Sequence, residues 1–224
     1  MKPIKGLIFD LDYTLYDESR YFLAVIKEFS KKHNFSHEQF WDFFSYENRI
    51  KSKDILGDIL RSADRYNEAY HEELFNLYRS ITVSLELYKG ADDILKLAPK
   101  NGIKTAIITN GNVQVQKNKI RCLGINERIE TIVCARELGS AFDKPHPLPF
   151  LTCIKKMGLS SDEVFYIGDN PTVDMVGASK VEIPGILITH DHFKSEIPDC
   201  SAKYIVSNFH DLKTLLFNGQ PDED

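Results

Sequence analysis

The chain has 224 residues, enough for one good core and a smaller second unit. Its composition, 42% hydrophobic and 27% charged with 12 Gly and 9 Pro, excludes fibrous and disordered classes. A formal net charge of -5 gives no general attraction for phosphate backbones, so a nucleic-acid polymer is not an expected partner. No stretch approaches the roughly 18 apolar residues that cross a bilayer, so no membrane partner is expected either. The first ten residues have neither the length of a signal core nor a small-residue cleavage site, which implies a cytoplasmic location. Cys122, Cys134, Cys153 and Cys200 are scattered without a CxxC pair, so neither zinc spacing nor a redox motif is present.

Taken in chain order, Ile4 to Phe9 is a short apolar run of the kind buried on both faces of a parallel sheet. Ile103 to Thr109, Ile129 to Cys134, Val164 to Ile167 and Gly185 to Ile188 repeat this pattern, each bounded by Gly, Asn or Asp. Tyr204 to Ser207 adds a last strand. Helical periodicity lies between them, in Ile94 to Ala98, in Ile120 and Leu123 ending at Gly124, and in Phe150 to Met157 ending at Gly158. A final helix covers Phe209 to Phe217. Such alternation predicts an α/β fold, a doubly wound parallel sheet with helices on both faces.

Residues 16–88 break the alternation with four helical patterns and no strand, so an all-helical unit is inserted there. The core is then 1–15 and 89–224. Phe22, Val25, Ile26 and Phe29 form one amphipathic face. Ser36 and Gln39 form a capping box ahead of Phe40, Trp41 and Phe44. Leu56, Ile59, Leu60 and Ala63 mark a third helix, and Tyr66, Tyr70, Leu74, Leu77 and Tyr78 a fourth. The acidic tail from Gln220 to Asp224 is expected to be disordered.

Chemistry gathers just after the strands. Asp10, Asp12 and Thr14 leave the first strand at the sheet edge where such folds bind ligands. Two carboxylates two residues apart suit one nucleophile and one proton donor, although an isolated pair reads more readily as an acidic turn. Thr109-Asn110-Gly111 closes another strand and offers a hydroxyl and backbone N–H groups to a phosphate oxygen, or else a helix cap and glycine turn. Lys144, before Pro145, is either a point charge for phosphate or a surface lysine. Asp169 and Asp174, in Gly168-Asp169-Asn170-Pro171-Thr172-Val173-Asp174, suit a hard-oxygen site for Mg²⁺; the helix dipole alone would account for one of them.

The ordered set DxDxT, TNG, KP and GDxxxxD resembles the haloacid dehalogenase superfamily across the whole core, and the insert resembles that superfamily's helical cap of the first type. The resemblance implies Asp10 as nucleophile and Asp12 as general acid and base. It also implies Thr109, Asn110 and Lys144 as phosphate binders, and Asp10, the Asp12 carbonyl and Asp169 as Mg²⁺ ligands supported by Asp174. The implied activity is hydrolysis of a small phosphorylated metabolite, a sugar phosphate or nucleotide monophosphate, through an aspartyl phosphate. Dehalogenases of the superfamily lack an acid at the second position, so Asp12 favours phosphate chemistry. A phosphomutase of the β-phosphoglucomutase type, or a non-catalytic binding protein on the same fold, are the alternatives.

Crowding of four carboxylates with a phosphate dianion requires a divalent cation and Lys144 to offset the charge. It is also expected to raise the proton affinity of Asp12, while Mg²⁺ and Lys144 would keep Asp10 ionised. Arg20 reads as a solvated residue near the site, His190, Asp191 and His192 as an ordinary loop, and His146 as a loop histidine.

Overall fold

The computed structural model describes residues 3–33, 37–38, 44–190 and 200–217. Six strands form one parallel sheet: β1 (Gly6–Phe9), β2 (Lys104–Thr109), β3 (Thr131–Cys134), β4 (Val164–Gly168), β5 (Gly185–Ile188) and β6 (Ala202–Val206). Their spatial order is β3-β2-β1-β4-β5-β6. The chain therefore winds outward from β1 in one direction and from β4 in the other, and the crevice at that switch point opens at the carboxyl ends of the strands. The doubly wound α/β sheet read from the sequence is the one present. Strand limits differ by one or two residues, with Ile4, Ile103 and Ile129 lying just outside.

The central strands are apolar throughout because both faces are covered. Leu7 and Phe9 point to one face with Ile107, Phe165 and Ile186. Ile8 points to the other with Ala106, Ile108, Tyr166 and Leu187. Helices α5 (Ala91–Lys100), α6 (Val113–Cys122) and α9 (Phe209–Phe217) cover the first face through residues such as Ile94, Val115 and Phe209. The second face is covered by α7 (Pro147–Met157) and α8 (Val176–Ser179), through Phe150, Cys153, Met157 and Ala178. Helix α7 shows why these elements stop where they do. Pro147 stands at its start, where a missing N–H is harmless, and Gly158 ends it at φ 67°, a conformation glycine adopts without strain.

Between Asp17 and Tyr88 the named elements among the described residues are all helices: α1 (Glu18–His33), α2 (Tyr46–Lys51), α3 (Ile55–Ser62) and α4 (Glu68–Ser80). Helix α1 buries Tyr21, Phe22, Val25, Ile26 and Phe29 on one stripe. The fourth helix starts at Glu68, capped by Asn67, so Tyr66 falls outside it and is exposed. Residues 34–36 and 39–43, which hold the expected capping box, and the tail after 217 lie outside the described residues. The chain leaves the sheet at Leu15 and returns at Tyr88, whose N–H donates to the Leu15 carbonyl at 2.9 Å. The helical insertion is tied to the sheet layer from the side of α6: Asn118 donates to the Tyr21 hydroxyl at 2.8 Å and to the Ile81 carbonyl at 2.7 Å.

Among the described residues no helix is long and apolar enough to cross a membrane. Ile107 lies at the centre of the sheet with no exposed surface. Ile107→Ala should therefore destabilise the fold by about 2 to 5 kcal/mol, read from urea-induced unfolding.

Candidate active site

Every strand end at the crevice contributes. Asp10 and Asp12 follow β1, Thr109 and Asn110 end β2, Lys144 stands on the connection after β3, and Asp169 and Asp174 follow β4. The Asp10 N–H donates to the Ile167 carbonyl at 2.8 Å, which fixes the turn out of β1 against β4. Asp10, Asp12, Thr109, Lys144, Asp169 and Asp174 border one cavity of about 320 Å³.

At its floor the Lys144 ammonium is buried 2.5 Å from Asp10 Oδ1 and 2.8 Å from Asp174 Oδ1, and it donates to the Tyr166 hydroxyl at 2.8 Å. The Tyr166 hydroxyl donates in turn to Asp174 Oδ1 at 2.9 Å, and the Asn170 N–H donates to Asp174 Oδ2 at 3.1 Å. Asp174 thus has both oxygens committed within the protein. It reaches Asn170 through a wide helical turn over Pro171–Met175, which passes so close to β4 that a Cβ on Gly168 would lie 2.5 Å from the Asp174 carboxylate. Asn110 braces the lysine loop from the other side. Its amide donates to the Lys144 carbonyl at 3.0 Å and accepts from the Lys144 N–H at 2.8 Å, leaving its backbone to face the cavity.

Asp12 sits in a separate network. Lys119, fully buried on α6, donates to Asp12 Oδ1 at 2.8 Å and to Glu18 Oε1 at 2.7 Å. The Tyr16 hydroxyl donates to Asp12 Oδ1 at 2.7 Å, and the Gln116 amide to Asp12 Oδ2 at 2.7 Å and Thr109 Oγ1 at 2.6 Å. Glu18 also receives Arg49 of α2 as a two-pronged contact at 2.8 and 3.1 Å. From the same helix the Tyr46 hydroxyl donates to Asp169 Oδ2 at 2.8 Å, while Thr14 donates to Asp169 Oδ1 at 3.1 Å. One short helix of the insertion therefore contacts two buried carboxylates, Asp169 and Glu18.

These surroundings raise the proton affinities of Asp10 and Asp169 but lower that of Asp12, where a rise was expected. Burial raises Asp10 to about 7; the neighbouring Asp174 and Asp12 add to the rise, and Lys144 offsets only part of it. Asp169 is likewise raised well above an ordinary carboxylate by burial and by Asp174 and Asp10. Burial would raise Asp12 too, but the charge and hydrogen bond of Lys119, with those of Gln116 and Tyr16, outweigh it and lower its pKa. Asp12, expected to hold the extra proton, is the carboxylate kept ionised. The cause is Lys119, which the motif reading did not include. Lys144 itself is raised despite burial, because Asp10 and Asp174 face it.

Asp10, Asp12, Thr109, Lys144, Asp169 and Asp174 are thus brought together as the spacing suggested, and Asn110 joins them through its backbone. Arg20 is solvated, paired with Asp17 at 3.7 Å. His146 accepts from the Leu148 N–H at the start of α7. His190 donates through Nε2 to the Thr14 carbonyl at 3.0 Å and stacks on Tyr88, a brace for the β1 turn; Asp191 and His192 lie outside the described residues. The residues missed from sequence are Glu18, Arg49, Tyr46, Gln116, Lys119 and Tyr166.

A family model described as haloacid dehalogenase-like hydrolase matches residues 7–188, and the chain belongs to that family. The glyceraldehyde 3-phosphate phosphatase of Methanocaldococcus jannaschii is 24% identical over 229 residues, covering 98% of this chain and 100% of the relative. A protein of the same name from Pyrococcus furiosus is 29% identical over 199 residues, covering 81% of this chain and 79% of the relative. The HAD-hydrolase YfnB of Bacillus subtilis, solved bound to magnesium, shares the fold with a TM-score of 0.76 at 17% identity, covering 96% of this chain and 100% of that one. With these named phosphatases as relatives and an acid at position 12, the chain is a phosphoric monoester hydrolase of the family.

Two expectations follow. A carboxyl whose pKa rises from 3.8 to about 7 on folding binds more protons folded than unfolded between those values, so its contribution to stability is present below about pH 4 and lost as pH rises toward 7. EDTA-treated protein should therefore lose stability across that window in thermal melts, and Asp10→Asn should flatten the slope. Gly168→Ala, by displacing Asp174 from Lys144, should lower kcat on the order of 10- to 100-fold with the fold retained by circular dichroism.

Proposed function

We propose that the protein hydrolyses small phosphate monoesters through a phosphate ester on Asp10, with Mg²⁺ as cofactor, in the cytoplasm. The observation that carries the reading is the buried Lys144 joining Asp10 to Asp174 at the edge where Asp12 and Asp169 also emerge. Residues 16–88 would form the cap over a core of 1–15 and 89–224, which the hydrogen bond closing Leu15 against Tyr88 supports. The four cysteines are free thiols, in keeping with a reducing compartment.

The donor set fits a hard divalent cation. Oxygens of Asp10, Asp169 and Asp174, all buried, lie within 4.8 Å of one another, and one lysine faces that charge. Asp10, Asp169 and the Asp12 carbonyl would hold the ion. Asp174, with both oxygens already engaged, would support them. Such an ion supplies charge neutralisation for the phosphoryl oxygens and the carboxylates around them.

In the reaction an Asp10 oxygen attacks phosphorus and the bond to the ester oxygen breaks, its electron pair leaving on the alcohol oxygen. Lys144 offsets the negative charge at Asp10, and the Thr109 hydroxyl with the backbone N–H groups of Asn110 and Gly111 orient the phosphoryl oxygens. Asp12 gives its proton to the departing oxygen. Since Lys119 holds Asp12 ionised, that proton must be taken up from water as the substrate binds, because the phosphate dianion raises the proton affinity of the neighbouring acid. In the second half Asp12, again a carboxylate, takes a proton from water. The water oxygen attacks phosphorus and Asp10 is released with inorganic phosphate.

The cavity of about 320 Å³ suits a small ester, as do the sugar-phosphate names of the relatives. Phosphate release from sugar phosphates, nucleotide monophosphates and p-nitrophenyl phosphate should require Mg²⁺, stop with EDTA, and fall at least ~10³-fold in Asp10→Asn. Undiminished release by Asp10→Asn would remove the covalent mechanism.

A further inference from the structure

The mouth of the cavity differs from its floor in how its charges are disposed. Among the described residues its cations are Arg49 and Arg136, and both are already paired. Arg49 grips Glu18 with two donors, and Glu18, only 1% exposed, is shared with buried Lys119. Turning Arg49 toward a ligand would leave a buried carboxylate short of a partner, which is strongly unfavourable. Arg136 holds Asp143 Oδ2 through Nε and Nη2, each at 2.9 Å. The other oxygen, Asp143 Oδ1, is itself closed to solvent, with no hydrogen-bond partner among the described residues.

A leaving group carrying a carboxylate or second phosphate would meet a wall whose positive charges are spent, and would lose its hydration without a counter-charge. A hydroxyl loses far less when it is desolvated. We propose that this side of the cavity selects a neutral, hydroxyl-bearing alcohol as leaving group and discriminates against an anionic one, an inference that rests on the phosphatase reading above. Glu18 and Asp143 set that selectivity by neutralising the two arginines.

The test compares glycerol 3-phosphate with 3-phosphoglycerate, which share a carbon skeleton and differ in a hydroxymethyl against a carboxylate, with p-nitrophenyl phosphate as reference. The full chain with Mg²⁺ should favour glycerol 3-phosphate in kcat/KM by on the order of tenfold or more. Asp143→Asn, which frees Arg136, should move that ratio several-fold toward 3-phosphoglycerate, mainly through KM; any general effect of the change on the neighbouring Lys144 cancels in the ratio. Equal or reversed preference, with p-nitrophenyl phosphate still cleaved, overturns the selectivity and leaves the phosphatase reading standing. A ratio unmoved by Asp143→Asn removes the role given to its pairing with Arg136. No release from any ester, p-nitrophenyl phosphate included, overturns both readings together.

Discussion

One buried ammonium organises the centre of this molecule. Lys144 lies beneath the carboxyl ends of the strands with Asp10 and Asp174 against it and the Tyr166 hydroxyl completing its donors. Taking a charge out of water is tolerable only when it is paired and fully hydrogen-bonded, so each neighbour is fixed by the need to satisfy the others. That requirement explains why Asp174 spends both oxygens inside the protein, why β4 ends in glycine where the Asp174 turn passes over it, and why Asn110 uses its whole amide on the lysine loop. Even so, one cation does not balance the carboxylates converging there. Burial, and after it this excess charge, raises the pKa of Asp10 and Asp169, a surplus that a hard cation and a phosphate-binding geometry would use.

The insertion takes part in this balance. Helix α2 is six residues long, yet it sends Tyr46 to Asp169 and Arg49 to Glu18, and through Glu18 and Lys119 it is connected to Asp12. The cap side and the sheet side of the crevice therefore share hydrogen bonds at both carboxylates that flank Asp10. A movement of α2 away from the sheet would break the Tyr46 contact and strip Arg49 from a buried acid, so opening is opposed by the same electrostatics that position the acids.

Much of this was legible before the fold was known, for a local reason. Apolar runs of strand length end abruptly in Asp10, Thr109 and Gly168, and residues directly after a buried parallel strand emerge on the ligand-binding edge whatever the rest of the chain does. What was not legible depends on partners far apart in sequence. Lys119 meets Asp12 across 107 residues and Tyr46 meets Asp169 across 123. A signal did exist. Lys119 stands four residues after Val115, and Glu18 four before Phe22, so each charge falls on the buried stripe of its own helix. Two opposite charges on buried stripes point to a pair between helices. The proton affinity of Asp12 was misread for the same reason: without Lys119 in view, crowding by the other acids points to a rise that the lysine reverses.

The two buried lysines also divide the chemistry. In the proposed reaction Lys144 stands on the acid that attacks, and Lys119 on the acid that exchanges protons. With Lys119 beside it, Asp12 is disposed to be a base, which the water-activating half needs, and its acid form must be generated by the charge of the arriving substrate. Proton uptake at Asp12 is then coupled to occupancy of the cavity. An acid that is protonated mainly when a phosphate dianion is beside it is an acid only when there is an oxygen to leave. In that reading the same local charge that makes the site attractive to a cation also times its proton transfer.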